Sequence, residues 1–453
     1  MAKYQAYAEY KDSGVEWLGE IPCHWDLKPI KYLFEIINGS TPKSGEETFW
    51  DGEITWITPS DLSKLRSQVI GESIRTITKK GLDSCGTSLV PSDTIILSCR
   101  APIGSLAVTS KEACTNQGCK SLVKKYDLST KFFYYYLSIS TKQLNNLGRG
   151  TTFLELSSDE LGSYALGIPN AEEQTQIANF LDHETAKIDN LIQQQQQLIE
   201  LLKEKRQAVI SHAVTKGLDP NVPMKDSGVE WLGEVPEHWI VAGFKKYLSS
   251  IVDYRGKTPE KVDEGIFLVT ARNIKKGKID YSLSQEYVSD NDYDQIMSRG
   301  SPLIGDVLFT TEAPLGEVSQ VDRTDIALAQ RIIKFRGQDN VLDNTFLKFF
   351  MMSTSFQDSL MTFASGSTAL GIKAERLGYL KQLIPPLNEQ QEIVKHIEKC
   401  VHQFDGLEKK MRDAISLMQE RRTALISAAV TGKIDVRHWQ SPTVAEADTE
   451  LSA

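Results

Sequence analysis

Residues 11–20 read KDSGVEWLGE, and residues 225–234 read KDSGVEWLGE again. Ten identical residues in a row are not coincidence, and Pro22, His24 and Trp25 are matched in the second copy by Pro236, His238 and Trp239. The correspondence continues with small shifts. Gly39, Thr41 and Pro42 align with Gly256, Thr258 and Pro259, and Ala101, Pro102 and Gly104 with Ala313, Pro314 and Gly316. It then settles to a constant offset that pairs Leu161-Gly162 with Leu377-Gly378, Ile168-Pro169 with Ile384-Pro385, and Glu173-Gln174 with Glu389-Gln390. A period this long exceeds that of any solenoid or propeller, so each unit must be a domain plus its connection. The chain is a duplication, and both halves share one fold.

Each half changes texture part-way. The stretches 26–168 and 240–384 carry Gly, Pro, Thr and short apolar runs such as Thr94-Ile95-Ile96-Leu97 and Val307-Leu308-Phe309, which predicts mixed α/β globules. The stretches 171–216 and 387–432 hold no Pro, no Gly other than Gly406 and Gly432, and much Gln, Glu, Lys, Leu and Ala, the composition of long helices. Alternate steps of four and three from Ile177 visit Leu181, Glu184, Ile188, Leu191, Gln195, Leu198, Leu202, Lys205, Val209 and His212. In the second helix they visit Ile393, Ile397, Cys400, Phe404, Leu407, Met411, Ala414, Met418, Arg421, Leu425 and Ala428. Such 3.5-residue seams pack helix on helix, with Arg421 aligned to Lys205. An isolated seam of this kind also fits a dimerisation coiled coil or a simple core. Because these two helices are copies attached to copies of one globule, intramolecular pairing is the expectation. A seam of this length spans roughly 54 Å, against about 34 Å for one turn of duplex DNA.

The chain, 453 residues with formal net charge −9, has no apolar stretch long enough to span a membrane and no apolar leader, so a cytoplasmic location is expected. Six scattered cysteines without a CxxC pair, and seven histidines without ligand spacing, predict reduced thiols and no metal. The charge is uneven: residues 26–150 hold 16 Lys and Arg against 12 Asp and Glu, and residues 240–370 hold 15 against 17. A mildly basic module on an acidic scaffold suits local phosphate binding and equally suits an ordinary solvated surface. Catalytic motifs are missing. Pro385-Pro386 lies between Ile384 and Leu387 rather than in an Asn/Asp-Pro-Pro-aromatic motif, and Gly256-Lys257-Thr258 lacks the upstream glycine of a phosphate loop, which is Ile251 here.

Taken together, the openings KDSGVEWLGEIPCHW and KDSGVEWLGEVPEHW, the Ile-Pro…Glu-Gln leads and the helix ends KEKRQAVISHAVTKG and QERRTALISAAVTGK resemble the specificity subunits of type I restriction-modification systems over nearly the whole chain. The resemblance implies an α+β architecture of two mixed α/β target recognition domains, separated by two long antiparallel helices that form an intramolecular coiled coil with pseudo-two-fold symmetry. The expected bounds are a first domain at 1–170, a spacer helix at 171–217, a second domain at 218–386, a second spacer helix at 387–439 and a disordered tail at 440–453. It further implies that a bipartite double-stranded DNA site is read, that two methyltransferase subunits and the motor-nuclease subunits dock, and that no catalytic residue or cofactor belongs to this chain. S-adenosylmethionine, ATP and Mg2+ are used by the partners. A coiled-coil adapter that binds no DNA, or the specificity subunit of a methylation-only system, are the alternatives.

Bases are read by Arg or Lys on guanine and Asn or Gln on adenine, while Lys, Ser and Thr hold phosphates. The candidates are therefore polar residues of the Gly39–Lys43 loop and beyond: Ser40, Thr41, Lys43, Ser60, Arg75, Lys79, Lys80, Arg100, Asn116, Gln117, Lys120, Arg149 and Thr151. In the second copy they are Lys257, Thr258, Arg272, Asn273, Lys275, Lys276, Lys278, Gln330, Arg331, Ser367 and Thr368. Trp17, Trp25, Trp231 and Trp239 lie in the repeated openings and are expected to be packing anchors. Specificity should reside where the copies diverge, roughly 43–150 and 260–365.

Overall fold

The Glu-Gln pair at the start of each long helix accounts for the repeated opening segment. In the computed structural model, which describes residues 4–100, 102–148, 154–256, 258–366 and 370–441, the long helices are α1, Ala171–Lys216, and α2, Leu387–Val430. The Glu173 carboxylate, almost fully buried, accepts from Trp25 Nε1 at 3.1 Å and from the Tyr7 hydroxyl at 2.7 Å, and lies 2.9 Å from His24 Nε2. Glu389 repeats this with Trp239 Nε1 at 3.0 Å and His238 Nε2 at 2.7 Å. The neighbouring glutamines reach back to cap the chain before the helix: Gln174 Nε2 donates to the Pro169 carbonyl at 3.0 Å, and Gln390 Nε2 to the Pro385 carbonyl at 2.8 Å. Trp25 and Trp239 are wholly buried. They are packing anchors, as the repeated openings predicted.

The chain divides into two compact units, 1–194 with 413–453, and 195–412. Each contains one globule, the first part of the helix that follows it and the last part of the other long helix. In the first unit Arg422 pairs with Asp189 at 2.9 Å, and Gln176 Nε2 donates to the Trp439 carbonyl, so the two helical segments run antiparallel. In the second unit Arg206 pairs with Asp405 at 2.6 Å, and Gly217 lies against Glu389 and Trp239. Asp189 and Asp405, like Arg206 and Arg422, are equivalent positions of the repeat. Both helices end on a left-handed glycine, Gly217 and Gly432. A Cβ on Gly432 would lie 2.4 Å from Pro22 Cδ, so the helix end seats on the opening segment. That stop places the end of α2 at Val430, not at 439 as expected. Residues 431–439 leave the helix and turn inward, burying Ile434 and Val436 and packing Trp439 on Phe180. Of the expected tail, 442–453 lies outside the described residues.

The helix seam departs from the predicted one at Leu191, Leu198, Lys205 and His212 of α1 and at Leu407 and Arg421 of α2. Ile177, Leu181 and Ile188 are buried as expected, but Leu191 and Leu198 are 41% and 44% exposed. Thr185, Ile199 and Ile210 are buried instead, with Ile192 and Arg206 half-buried; Lys205 and His212 face out, while Leu202 is half-buried as predicted. In α2 the predicted Ile393, Ile397 and Ala428 are buried and Cys400, Phe404, Met411, Ala414, Met418 and Leu425 half-buried, whereas Leu407 and Arg421 are exposed and Glu408 and Arg422 take the inward places. Leu407→Asp should consequently change the unfolding free energy of the chain by no more than about 0.5 kcal/mol, read by denaturant unfolding, as at ordinary surface sites. A loss above about 2 kcal/mol would return Leu407 to the seam.

The globules share one topology. In the first, β1 (Phe34–Asn38), β2 (Trp50–Ile57), β3 (Ile95–Ser98), β4 (Leu106–Thr109), β5 (Cys114–Thr115) and β6 (Cys119–Lys124) form two sheets. One has the order β1-β6-β3-β4 with Val69–Ile70 at its edge; the other has β2 between β5 and Thr76–Ile77. In the second, β7 (Leu248–Asp253), β8 (Ile266–Val269), β9 (Val307–Thr311), β10 (Leu315–Gln320), β11 (Ile326–Leu328) and β12 (Ile332–Gly337) give β7-β12-β9-β10, and β8 between β11 and Tyr287–Val288. Ile95 pairs with Leu122 as Val307 pairs with Phe335, so the registers coincide at equivalent positions. A helix behind each sheet, Thr130–Ser138 or Asn344–Met352, supplies the large core side chains, among them Phe132, Phe133, Tyr136, Phe346 and Phe350. All six cysteines are free thiols.

Candidate nucleic-acid interface

The two sheets of the first globule join at one corner. The parallel strand β5 leaves β2 and passes through Asn116-Gln117-Gly118 into the antiparallel strand β6. The backbone is pinned on both sides of Gln117: Asn116 N donates to the Ile57 carbonyl at 3.0 Å, and the Gly118 carbonyl accepts from Cys99 N at 2.8 Å. The loop after β1 closes over the corner. Ser40 N donates to the Thr115 carbonyl at 3.0 Å, and a Cβ on Gly39 would lie 2.0 Å from the Asn116 carbonyl oxygen, so only glycine permits this approach. Two β2 tryptophans hold the loop, Trp56 Nε1 donating to the Ser40 carbonyl at 3.0 Å and Trp50 Nε1 to the Lys43 carbonyl at 3.2 Å. Arg75 stacks 3.6 Å above Trp50, and Pro59 abuts Gly118. Ser40, Thr41, Lys43, Ser60, Arg75, Asn116 and Gln117 thereby gather around one rigid corner. At its outer edge the Thr41 hydroxyl donates to Gln117 Oε1.

The second globule builds the same corner from different residues. Ala329 N donates to the Val269 carbonyl at 2.9 Å and the Arg331 carbonyl accepts from Thr311 N at 2.9 Å, so Gln330 is pinned as Gln117 is. Gln330 Nε2 donates to Thr258 Oγ1 at 3.0 Å. Thr258 and Gln330 line two depressions of about 360 and 220 Å³, the first also lined by Arg255 and Arg299, the second by Arg272 and Arg331. Four arginines therefore line the two depressions that Gln330 borders. Asp253, hydrogen-bonded to Arg255, holds that guanidinium above the usual arginine range, fixing it as a charged donor. Arg255 and Arg299 were not among the residues expected from the sequence. Only the strand β7 and the turn near Ser298 bring them to Thr258.

Other predicted residues lie elsewhere or are occupied. Lys79, exposed, pairs with Asp83 on one helical turn, and Lys80 is exposed beside it. Arg100 pairs with Glu155 at 3.2 Å, next to the corner through Cys99; in the second globule Glu312 takes the equivalent place and pairs with Arg331 at 2.7 Å. Lys120 is a correction. It lies in β6, only 6% exposed, with Nζ donating to Asn38 Oδ1 at 2.8 Å and Ser158 Oγ at 3.1 Å, so it serves the fold. Asn273 is another: fully buried, it accepts from Thr270 N and Oγ1 and donates to the Asp280 and Ser284 carbonyls, closing the turn that Asp61 closes on Thr58 in the first globule. Lys275, Lys276 and Lys278 sit on a hairpin, Ile274–Ile279, beside α1 and α2, where Lys278 lies 3.4 Å from Asp405. Arg149, Thr151, Lys257, Ser367 and Thr368 lie outside the described residues. Among the described residues no group of three His, Cys, Asp or Glu could hold a metal ion, and no helix is long and apolar enough to cross a membrane.

A family model described as the type I restriction modification DNA specificity domain matches residues 22–201 and 260–417. Among curated proteins, the chain is 34% identical over 206 residues to the type I restriction enzyme MjaIX specificity subunit of Methanocaldococcus jannaschii, a match covering 45% of this chain and 46% of that one. It is 22% identical over 429 residues to the MjaVIII specificity subunit of the same organism, covering 92% and 95%. The type I restriction enzyme EcoBI specificity subunit of Escherichia coli is 24% identical over 348 residues, covering 73% and 71%. Among solved structures, the fold matches a chain from work on complex assembly and conformational transition of the type I R-M system, with a TM-score of 0.67 and 14% identity over 91% of this chain and 99% of that one. It also matches the HsdS subunit from Thermoanaerobacter tengcongensis, with a TM-score of 0.52 and 14% identity over 91% and 98%.

Proposed function

The chain belongs to the family of type I restriction-modification specificity subunits, and on that premise we propose that it reads a bipartite double-stranded DNA site, one half with each globule. The observation that supports this most is the repeated corner. Both globules present a glutamine from the same hydrogen-bonded strand junction, while the residues around it differ between the copies. Rigid scaffolds with variable loops are where recognition residues are placed. On this proposal the domains at 1–170 and 218–386 read the half-sites in the cytoplasm, and the long helices set the spacing between them. The helices also dock methyltransferase subunits, and through them a motor-nuclease subunit. The chemistry belongs to those partners, with their S-adenosylmethionine, ATP and Mg2+; this chain supplies address rather than catalysis.

The test is reconstitution. Purified alone, the chain is expected to show no methyl transfer, ATP hydrolysis or DNA cleavage. Combined with the methyltransferase subunits of its source, it should methylate adenines in a two-part motif of fixed spacing, and a duplex carrying only one half should bind at least about tenfold more weakly, given about 1–3 kcal/mol per lost base pair. Methyl transfer by the chain alone, or equal affinity for half and full sites, would sink the proposal.

A further inference from the structure

We infer that Gln117 and Gln330 each read an adenine, one in each half-site, and that Thr41 and Thr258 act as positioning residues that set their carboxamides. The inference rests on the DNA-reading function proposed above and adds the base and the residues.

Four observations support it. The two glutamines occupy the same position of the repeat, at the junction of the parallel and antiparallel sheets. Each is locked in the backbone by the same pair of hydrogen bonds, from the residue before it to a strand end, Ile57 or Val269, and to the residue after it from Cys99 or Thr311. Each side chain is accessible, Gln117 exposed and Gln330 half-buried. And each is held by a threonine from the equivalent Gly-x-Thr-Pro loop, through Oε1 in the first globule and Nε2 in the second.

The chemistry then selects the base. A carboxamide offers an acceptor and a donor side by side. Adenine alone presents the complement in the major groove, the N6 amino donor beside the N7 acceptor. Guanine presents two acceptors, one of which would face Oε1. Cytosine and thymine each present a single polar group. Threonine does not compete, because Oε1 has two lone pairs and Nε2 two hydrogens. One lone pair of Gln117, or one hydrogen of Gln330, goes to the threonine, which leaves each carboxamide an acceptor lone pair and a donor hydrogen for a base. A held carboxamide loses less side-chain freedom on binding than a loose one, which favours discrimination. The neighbours differ in sign: Gly118 follows Gln117 with Arg100 on the adjoining strand end, whereas Arg331 follows Gln330 with Glu312 there. The half-sites should therefore share an adenine and differ beside it.

The experiment uses the full chain assembled with its methyltransferase subunits. Methylome sequencing of Gln117→Ala and Gln330→Ala strains first locates the relaxed position, and binding is then measured on duplexes carrying adenine, 7-deazaadenine or another base there. Wild type should lose about 5- to 150-fold on replacing the adenine. Gln117→Ala should bind all versions alike in one half-site, Gln330→Ala should do so in the other, and neither should respond to 7-deazaadenine. Thr41→Val should narrow the discrimination between adenine and 7-deazaadenine and Thr41→Ser should restore it, a rescue through the hydroxyl that a merely structural role would not produce. Relaxation at a G·C pair, uniform weakening across sequences, or unaltered discrimination in the glutamine variants would each overturn the assignment while leaving the proposed function intact. If the wild-type complex itself showed no sequence preference, both would fall.

Discussion

Asp306→Ala is expected to destabilise the second globule by about 3–5 kcal/mol, because it strands a charge in the interior. The Asp306 carboxylate has no solvent exposure. It lies 3.1 Å from Lys334 Nζ and 2.6 Å from Arg336 Nε, and accepts from Leu303 N at 2.9 Å. Lys334 is itself buried in β12, and without Asp306 it keeps only the Ser301 carbonyl at 2.8 Å. The first globule shows how the same backbone does without the network: Thr94, Ser121 and Val123 stand at the equivalent positions, and Thr94 is satisfied by Thr109 Oγ1 and the Pro91 carbonyl. Replacing buried ion networks with neutral residues of suitable shape is often close to neutral in energy. The combined variant Asp306→Thr, Lys334→Ser, Arg336→Val should therefore recover most of the loss. Hydrogen exchange of the β9 and β12 amides in the full chain reads this locally. A loss below about 1 kcal/mol for Asp306→Ala would show that Lys334 finds water or another partner, and a triple variant no better than the single one would show that the copies are not interchangeable here.

The same comparison explains what could be read in the residues alone. Identity between copies announced the duplication, and the absence of helix breakers placed the helix starts at Ala171 and Leu387. Register was harder. The first seam contains the doublets Leu191-Ile192, Leu198-Ile199 and Lys205-Arg206, in which either member satisfies an apolar or cationic pattern. A strict 3.5-residue step drifts by about 20° per heptad from a straight helix with 3.6 residues per turn. Stepping from Ile177 thus reached the wrong member of each doublet. The choice between Lys205 and Arg206 depends on Asp405, far away in sequence, and that between Arg421 and Arg422 on Asp189.

The candidate interface follows a similar division. Thr41, Gln117, Thr258 and Gln330 were visible because a repeated Gly-x-Thr-Pro loop and polar residues before a strand are local signals. Lys120 and Asn273 looked alike on that criterion, yet their partners come from strands and turns that sequence does not place nearby. A polar residue in a pattern is ambiguous until its hydrogen-bond demands are counted, and only the fold supplies that count.

Exchanging residues 43–125 for the equivalent segment of a relative with another specificity should change one half of the methylated motif and leave the other half and the spacing intact. The divergent region suggested a longer exchange, 43–150, but the structure favours the shorter one. Residues 126–150 include the helix Thr130–Ser138, whose Phe132, Phe133 and Tyr136 fill the first core. The Tyr136 hydroxyl also accepts from Gly167 N at 3.2 Å, in the strand Ala165–Ile168 before α1, and Ser129 N donates to Gln174 Oε1 at 3.2 Å, tying this segment to the start of α1. Those contacts belong to the frame that carries the recognition corner, and replacing them risks the fold without touching the reading surface. The shorter exchange starts at exposed Lys43 and ends at exposed Lys125, carrying β2 to β6, Arg75 and Gln117 while Thr41 stays. Methylome sequencing of the chimera should show a new half-motif beside the old one, and the original site should bind about 1–3 kcal/mol more weakly for each base pair that changed. Because α1 and α2 are untouched, the number of base pairs between the halves should not move. A motif altered in both halves, or in neither, would contradict the assignment of one half-site to each globule.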